Sequence, residues 1–210
     1  MLAPAVQRVR IERRGLAAYL PTVEAMREFT VGRDADTPDE LWLLEHPPVY
    51  TLGLGADPAY GPRGDTGIPV LRVERGGQVT YHGPGQVVLY TLVDLGRRRL
   101  GVREFVAMLE ESVIDLLAEH GVRAARLPGA PGVYVGGAKI AALGLRVSRG
   151  CTFHGLALNV DIDLAPFAAI DPCGFPGLRV TRLRDLGIAQ SCAEAGGQLA
   201  EFLVARLAHA

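Results

Sequence analysis

Seven short, largely apolar runs lie at residues 41–44, 49–52, 70–73, 86–92, 132–135, 138–147 and 153–160, bounded by Gly, Pro or polar breaks. This punctuation limits what the chain can fold into, because such runs between turn formers read as β-strands. Two other segments carry helical spacing. Residues 104–120 place Phe105, Val106, Leu109, Val113, Leu116 and Leu117 on one face, with Gly121 as a stop. Residues 192–207 follow Ser191, and Glu194 completes a capping box. A third helix is expected near residues 16–29, with Pro21 in its first turns. The order predicts an α/β (α+β) layer: a mixed β-sheet flanked by helices, without the regular alternation of a doubly wound fold. A length of 210 residues fits one domain spanning residues 1–210.

Charge narrows the function classes. The formal net charge is −1, which argues against a nucleic-acid binder that works through bulk electrostatics. The densest basic run is Arg97, Arg98 and Arg99, near Arg103. It reads as a solvated turn, the alternative being a landing patch for an acidic partner. No apolar run reaches the ~18 residues needed to span a bilayer, and the arginine-rich N-terminus lacks a secretory apolar core. A cytoplasmic location with no membrane contact is therefore expected. Cys151, Cys173 and Cys192 make an odd, sparse set with no Cys-x-x-Cys pair, so each is judged as a thiol.

Of 22 basic side chains, only Lys139 is a lysine. Lysine can lose its proton when desolvated, whereas arginine cannot. Lys139 sits between Gly136-Gly137 and Gly144 among small or apolar neighbours, a setting that would lower its pKa. The segment calls for an amine able to act as a base, or for a compact charge beside a nucleophile. Cys173, between Pro172 and Gly174, lies in a turn where a thiol is accessible. Cys151 follows Gly150 and has similar neighbours; Cys192 lies on the last helix and reads as structural. A thiol paired with a lysine can attack an activated acyl group to form a thioester, and the same lysine can later serve an incoming amine. The stretch from Arg75 to Gln86 is too rich in Gly and Pro for an element interior and reads as a ligand-facing loop carrying Arg75 and His82.

The string RGGQVTYHGPGQVVLY at residues 75–90 is similar to the signature of the lipoyl(octanoyl) transferase family, the octanoyl-[acyl carrier protein]–protein N-octanoyltransferases. Three further segments agree: GAPGVYV at 129–135, KIAALG at 139–144, and HGLALNV at 154–160 followed by Pro172-Cys173-Gly174. The match covers roughly residues 40 to 185 with no departure at a motif position. The resemblance implies a biotin/lipoate protein ligase-like fold and a monomer. It implies that Cys173 carries the octanoyl group as a thioester and that Lys139 tunes it and acts as acid and base. It implies an acyl site lined by Arg75, Gly76, Gly77, Gln78, Val79, Thr80, Tyr81 and His82, by a turn at Ala142, Leu143 and Gly144, and by His154 with a strand start at Gly155, Leu156 and Ala157. The implied donor is octanoyl-acyl carrier protein. The implied acceptors are lipoyl domains of 2-oxoacid dehydrogenase subunits and the glycine cleavage H protein. No cofactor, ATP or metal is implied.

Three other readings stay open at this level. An ATP-dependent lipoate–protein ligase shares the fold and the lysine motif but needs no cysteine nucleophile. A binding module for lipoyl domains or acyl carriers would tolerate the loss of Cys173 or Lys139. A cysteine-dependent thioesterase would use water as the acceptor.

Overall fold

The computed structural model describes residues 9–209, the side chain of Cys173 excepted. In chain order the elements are β1 (Val9–Leu16), α1 (Tyr19–Gly32), β2 (Asp39–Glu45), β3 (Val49–Leu52), β4 (Val70–Arg72), β5 (Val79–His82), β6 (Gln86–Leu92), α2 (Leu95–Arg98), α3 (Val102–Glu119), β7 (Ala125–Leu127), β8 (Ala130–Val135), β9 (Ala138–Ser148), β10 (Cys151–Asn159) and α4 (Cys192–Leu207). A seven-stranded sheet runs β1-β2-β6-β10-β9-β8-β7, and a three-stranded sheet runs β4-β3-β5. Both are mixed: β1–β2 and β3–β4 pair parallel, the rest antiparallel.

The continuous apolar runs of β2 and β6 follow from burial on both sheet faces. Leu41, Leu43, Val87 and Leu89 pack against Phe105 and Leu109 of α3 and Leu199 and Leu203 of α4. The alternate residues Trp42, Leu44 and Val88 pack under Val23 and Met26 of α1. A separate cluster of Tyr50, Leu52, Val79, Tyr81 and Phe167 supports the small sheet. The Ser191 capping box forms as read: Glu194 N donates to Ser191 Oγ at 3.2 Å, and Ser191 N donates to Glu194 Oε2 at 2.8 Å.

The structure corrects three expectations. Val79–His82 is a fully buried strand, not part of a loop; its β-branched and aromatic residues suit a pleated, two-sided environment. The helix expected to start near residue 16 begins at Tyr19, because the preceding residues form β1. This strand is charged and almost wholly exposed, as suits a sheet edge, and is held by main-chain pairing to β2. Arg97 and Arg98 are neither a solvated turn nor a free patch. Asp39, fully buried, accepts from Arg33 Nη2 at 2.6 Å, Arg97 Nη2 at 2.8 Å, Arg98 Nε at 2.6 Å and Asp94 N at 2.9 Å. Arg98 Nη1 also caps the last turn of α4 through Leu207 O at 2.8 Å. Only Arg99 of the run is exposed. No helix among the described residues is long and apolar enough to cross a membrane.

Burial opposes the Asp39 carboxylate, but the Asp94 N–H and the Arg98 and Arg33 guanidiniums outweigh it and hold its pKa below the ordinary value. Removing one partner of a buried ion pair costs about 3–5 kcal/mol. Asp39→Asn should therefore lower unfolding free energy by about that amount near neutral pH, measured by denaturant titration. The folded pKa lies below the unfolded one. The carboxylate's contribution is thus fully present above about pH 4 and lost as pH falls through the folded value, so wild type and variant should converge in acid.

Candidate active site

The loop at Arg75–Gln78 lies across β9 by backbone contact. Gly76 N donates to Leu145 O at 3.0 Å. A Cβ on Gly144 would stand 2.9 Å from Gly76 O and 3.2 Å from Arg75 Cδ, so residue 144 is glycine because the loop rests on it. Ala142, Leu143 and Gly144 were expected in a turn; they lie inside β9, as Gly155, Leu156 and Ala157 lie inside β10 and not at its start. Register places Ala142 opposite Ala157, Leu143 opposite Leu156 and Gly144 opposite Gly155.

Between loop, strands and α3 is a cavity of about 390 Å³. Arg75, Gly76, Gly77, Gln78, Val79, Thr80, His82, Ala142, Leu143, Gly144, His154, Gly155, Leu156 and Ala157 all line it. Tyr81, expected with them, does not. Strand alternation turns it away to meet Tyr50 and Phe167, with ring centroids 5.4 Å apart in each case. The sequence reading missed Tyr19 from α1, Tyr90 from β6, Val102 and Val106 from α3, and Phe175. Tyr90 closes the quoted 75–90 string, but Tyr19 and the nearby His46 lie outside every motif.

Lys139 follows the left-handed turn at Gly136-Gly137 and is 3% exposed. Its Nζ donates to Pro131 O at 2.9 Å and lies 5.1 Å from the centroid of the Tyr134 ring. A Cβ on Gly132 would come within 3.0 Å of Lys139 Cε and 2.6 Å of Ala141 O, so glycine there admits the lysine side chain. The backbone of Lys139 is fixed by Arg179 O at 2.8 Å and Thr181 N at 2.9 Å. Lys139, Pro172, Gln86 and Asn159 border a small space that shares Thr80 and Ala142 with the large cavity. The Pro172–Gly174 segment, which carries Cys173, is one 3-10 turn; its Gly174 packs near Gln78 and Tyr60. The Cys173 side chain lies outside the described residues. Cys151, by contrast, is buried at the start of β10, and burial, followed by Asp94, raises its thiol pKa. Burial and then Glu45 push Cys192 up to about 12. Neither suits a thiolate nucleophile.

The inner wall is polar but uncharged except at Arg75. Arg75 Nη2 donates to Thr51 O and Oγ1, each at 2.7 Å, and Nη1 donates to Gly76 O at 2.8 Å. Gln86 Nε2 donates to Asn159 Oδ1 at 2.9 Å and Tyr81 O at 3.3 Å, leaving Gln86 Oε1 to accept from His82 Nδ1 at 2.7 Å. His82 therefore carries its proton on Nδ1 and a lone pair on Nε2. His46 Nδ1 donates to Ala17 O at 2.6 Å, so its Nε2 accepts the Tyr90 hydroxyl at 2.8 Å. Burial is the main cause that holds His46 down to about 4 and His82 and His154 down to about 3. Among the described residues, no three His, Cys, Asp or Glu side chains are grouped to hold a metal ion.

All three histidines should remain neutral at pH 5, with His46 and His82 as Nδ1–H tautomers; nitrogen-15 NMR of the imidazoles checks both points. Their folded pKa values lie below the unfolded value of about 6.5. Their stabilising contribution is thus fully present above about pH 6.5 and is lost progressively as pH falls from there to the folded values of about 4 and 3, so acid destabilisation should begin well above the carboxylate range.

Comparison with known proteins identifies the family. The lipoyl protein ligase A/B catalytic domain matches residues 20–201. An octanoyltransferase of Dechloromonas aromatica is 57% identical over 197 residues, covering 94% of this chain and 96% of that one. One from Thiobacillus denitrificans is 57% identical over 209 residues, covering 96% and 95%. Among solved structures, the bi-partite lipoate protein ligase of Thermoplasma acidophilum superposes with a TM-score of 0.70 at 17% identity, covering 95% and 91%. Biotin protein ligase from Aquifex aeolicus gives 0.60 at 12%, covering 94% and 70%. These two share the fold expected from the sequence. With relatives this similar over nearly the whole chain, a protein built around this cavity belongs to the lipoyl protein ligase A/B catalytic-domain family and, within it, to the octanoyltransferases.

Proposed function

We propose that the chain moves an octanoyl group from octanoyl-acyl carrier protein to a lysine of a lipoyl domain through a thioester on Cys173, with Lys139 handling the proton. The observation that carries this reading is the burial of Lys139 on a small space that adjoins the apolar cavity and is shared with Pro172, the residue before Cys173. In the first step the Cys173 sulfur attacks the thioester carbonyl. A C–S bond forms to Cys173, the C–S bond to the carrier breaks, and the proton given up by Cys173 passes through Lys139 to the departing carrier thiol. In the second step the acceptor lysine, as a neutral amine, attacks the same carbonyl. A C–N bond forms, the Cys173 thioester breaks, and Lys139 relays the amine proton to the sulfur. The donor is already activated, so the reaction needs neither ATP nor metal.

Carrier proteins of this kind are acidic. With Arg97 and Arg98 committed to Asp39, the docking charge falls to exposed Arg99, Arg103 and Arg146. Arg103 and Arg146 are chain neighbours of the cavity-lining Val102 and Leu145. The acceptors are lipoyl domains of 2-oxoacid dehydrogenase subunits and the glycine cleavage H protein. The enzyme acts as a monomer in the cytoplasm.

Intact-protein mass spectrometry without ATP tests the reading. Wild type mixed with octanoyl-acyl carrier protein should gain one octanoyl group and lose it on adding apo lipoyl domain, while Cys173→Ala gains none. Modification of the lipoyl domain only when ATP and free octanoate are supplied would assign the chain ligase chemistry instead. Lys139→Arg keeps the charge but cannot give up a proton, and should slow transfer by about 100-fold or more. Normal rates in that variant would reduce Lys139 to a fixed charge.

A further inference from the structure

The turn that carries Cys173 lies between two anchors. Downstream, Val180 pairs with Lys139: Lys139 N donates to Arg179 O at 2.8 Å, and Thr181 N donates to Lys139 O at 2.9 Å. That anchor is main chain, seated on β9. The upstream anchor is a side chain. Arg63, in the connection from β3 to β4 and outside every motif, donates from Nη1 to Asp171 Oδ2 at 3.0 Å. Its Nη2 donates to Ala168 O at 2.9 Å and Ile170 O at 3.3 Å, and its main-chain N–H donates to Ala169 O at 2.8 Å. The residues between the anchors close on themselves: Gly174 N donates to Asp171 O at 2.9 Å and Phe175 N to Pro172 O at 3.2 Å.

One planar guanidinium thus spans three acceptors and ends two residues before Cys173. A lysine ammonium would supply the charge but not the fork. The same connection touches the cavity on its other side. Gln78, which lines the cavity, donates from Nε2 to Gly55 O at 2.9 Å and accepts from Asp57 N at 3.0 Å. A Cβ on Gly174 would lie 3.3 Å from both Gln78 Cγ and Tyr60 Cε2, so the turn rests on this connection and on the cavity lip together.

Folding leans little on Arg63. Its side chain is 55% exposed, and exposed ion pairs contribute little to stability. Phe167 and Ile170 are already buried with Tyr50 and Tyr81. What the guanidinium fixes is the direction in which the chain leaves Ile170 toward Cys173. A displacement of about 1 Å at a reacting atom can cost roughly 100-fold in rate.

We infer that Arg63 is a positioning residue, which aims the Cys173 turn at the cavity through Asp171 and the Ala168 and Ile170 carbonyls. This rests on the acyl-enzyme reading above and adds a residue to that site.

The test follows the rate of adduct formation on the full chain by intact mass, for wild type, Arg63→Ala and Arg63→Lys. Two donors are compared: octanoyl-acyl carrier protein, and the octanoyl thioester of N-acetylcysteamine, which has no protein to dock. Both variants should melt near wild type and load fully. Their maximal rate should fall by ~10-fold or more with either donor, at an unchanged half-saturating carrier concentration. Failure of lysine to rescue marks geometry and not charge. Wild-type rates in both variants overturn the inference and leave the acyl-enzyme reading intact. A loss confined to Arg63→Ala and to the carrier protein, seen as a higher half-saturating concentration, also overturns it and makes Arg63 a docking charge. Should the Arg63 variants not fold, Asp171→Ala, which removes one acceptor and keeps Arg63, decides by the same rates. No adduct on wild type with either donor overturns the acyl-enzyme reading and the inference together.

Discussion

The close backbone approach of the Arg75–Gly77 loop to β9 is the contact on which the rest depends. The loop belongs to the small sheet, since it leads into β5, and β9 belongs to the large one. Glycines permit the approach: a Cβ on Gly53 would lie 2.1 Å from Gly77 O, and one on Gly144 2.9 Å from Gly76 O. The cavity is the space left where the two sheets meet. Its walls come from the Arg75–Gln78 loop, β5, β6, β9, β10 and α3, so its shape is set by strands held on several sides and by a loop fixed against β9. The Pro172–Gly174 turn is drawn to the same seam through Asp171 N donating to Tyr60 O at 3.1 Å and Arg63 Nη1 bonding Asp171 Oδ2 at 3.0 Å.

The electrostatics divide the seam into two ends. On one side Lys139 is buried and anchored to Pro131 O, on the small space that adjoins the cavity. On the other, histidines kept neutral by burial stand with Arg75 and two tyrosines. The Asp39 cluster works farther out. It ties the start of β2, the end of α1 and α2 to the last turn of α4, holding the outer layers around the core.

What was legible in the sequence followed from local physics. The helices at residues 102–119 and 192–207 and the strands at 49–52 and 86–92 announce themselves by period and by turn formers. Lys139 stood out by its chemistry, and the cavity-lining segments by a string of glycines whose purpose is close approach. What was not legible depends on pairing. β1 is charged and exposed, so only its partner β2 makes it a strand. β5 was hidden by the glycines on either side of it. Arg97 and Arg98 read as surface charge because nothing local reveals that Asp39, some sixty residues away, lies buried between them. The inward turn of His154 depends on one backbone angle that no composition encodes.

A crystal structure of the octanoyl-enzyme, formed by wild type with octanoyl-acyl carrier protein in the absence of acceptor, tests the account most directly. The account predicts one alkyl chain bonded to Cys173, running between the Arg75–Gln78 loop and the β9–β10 pair. A chain bonded elsewhere, or one lying outside the seam on the protein surface, would contradict it.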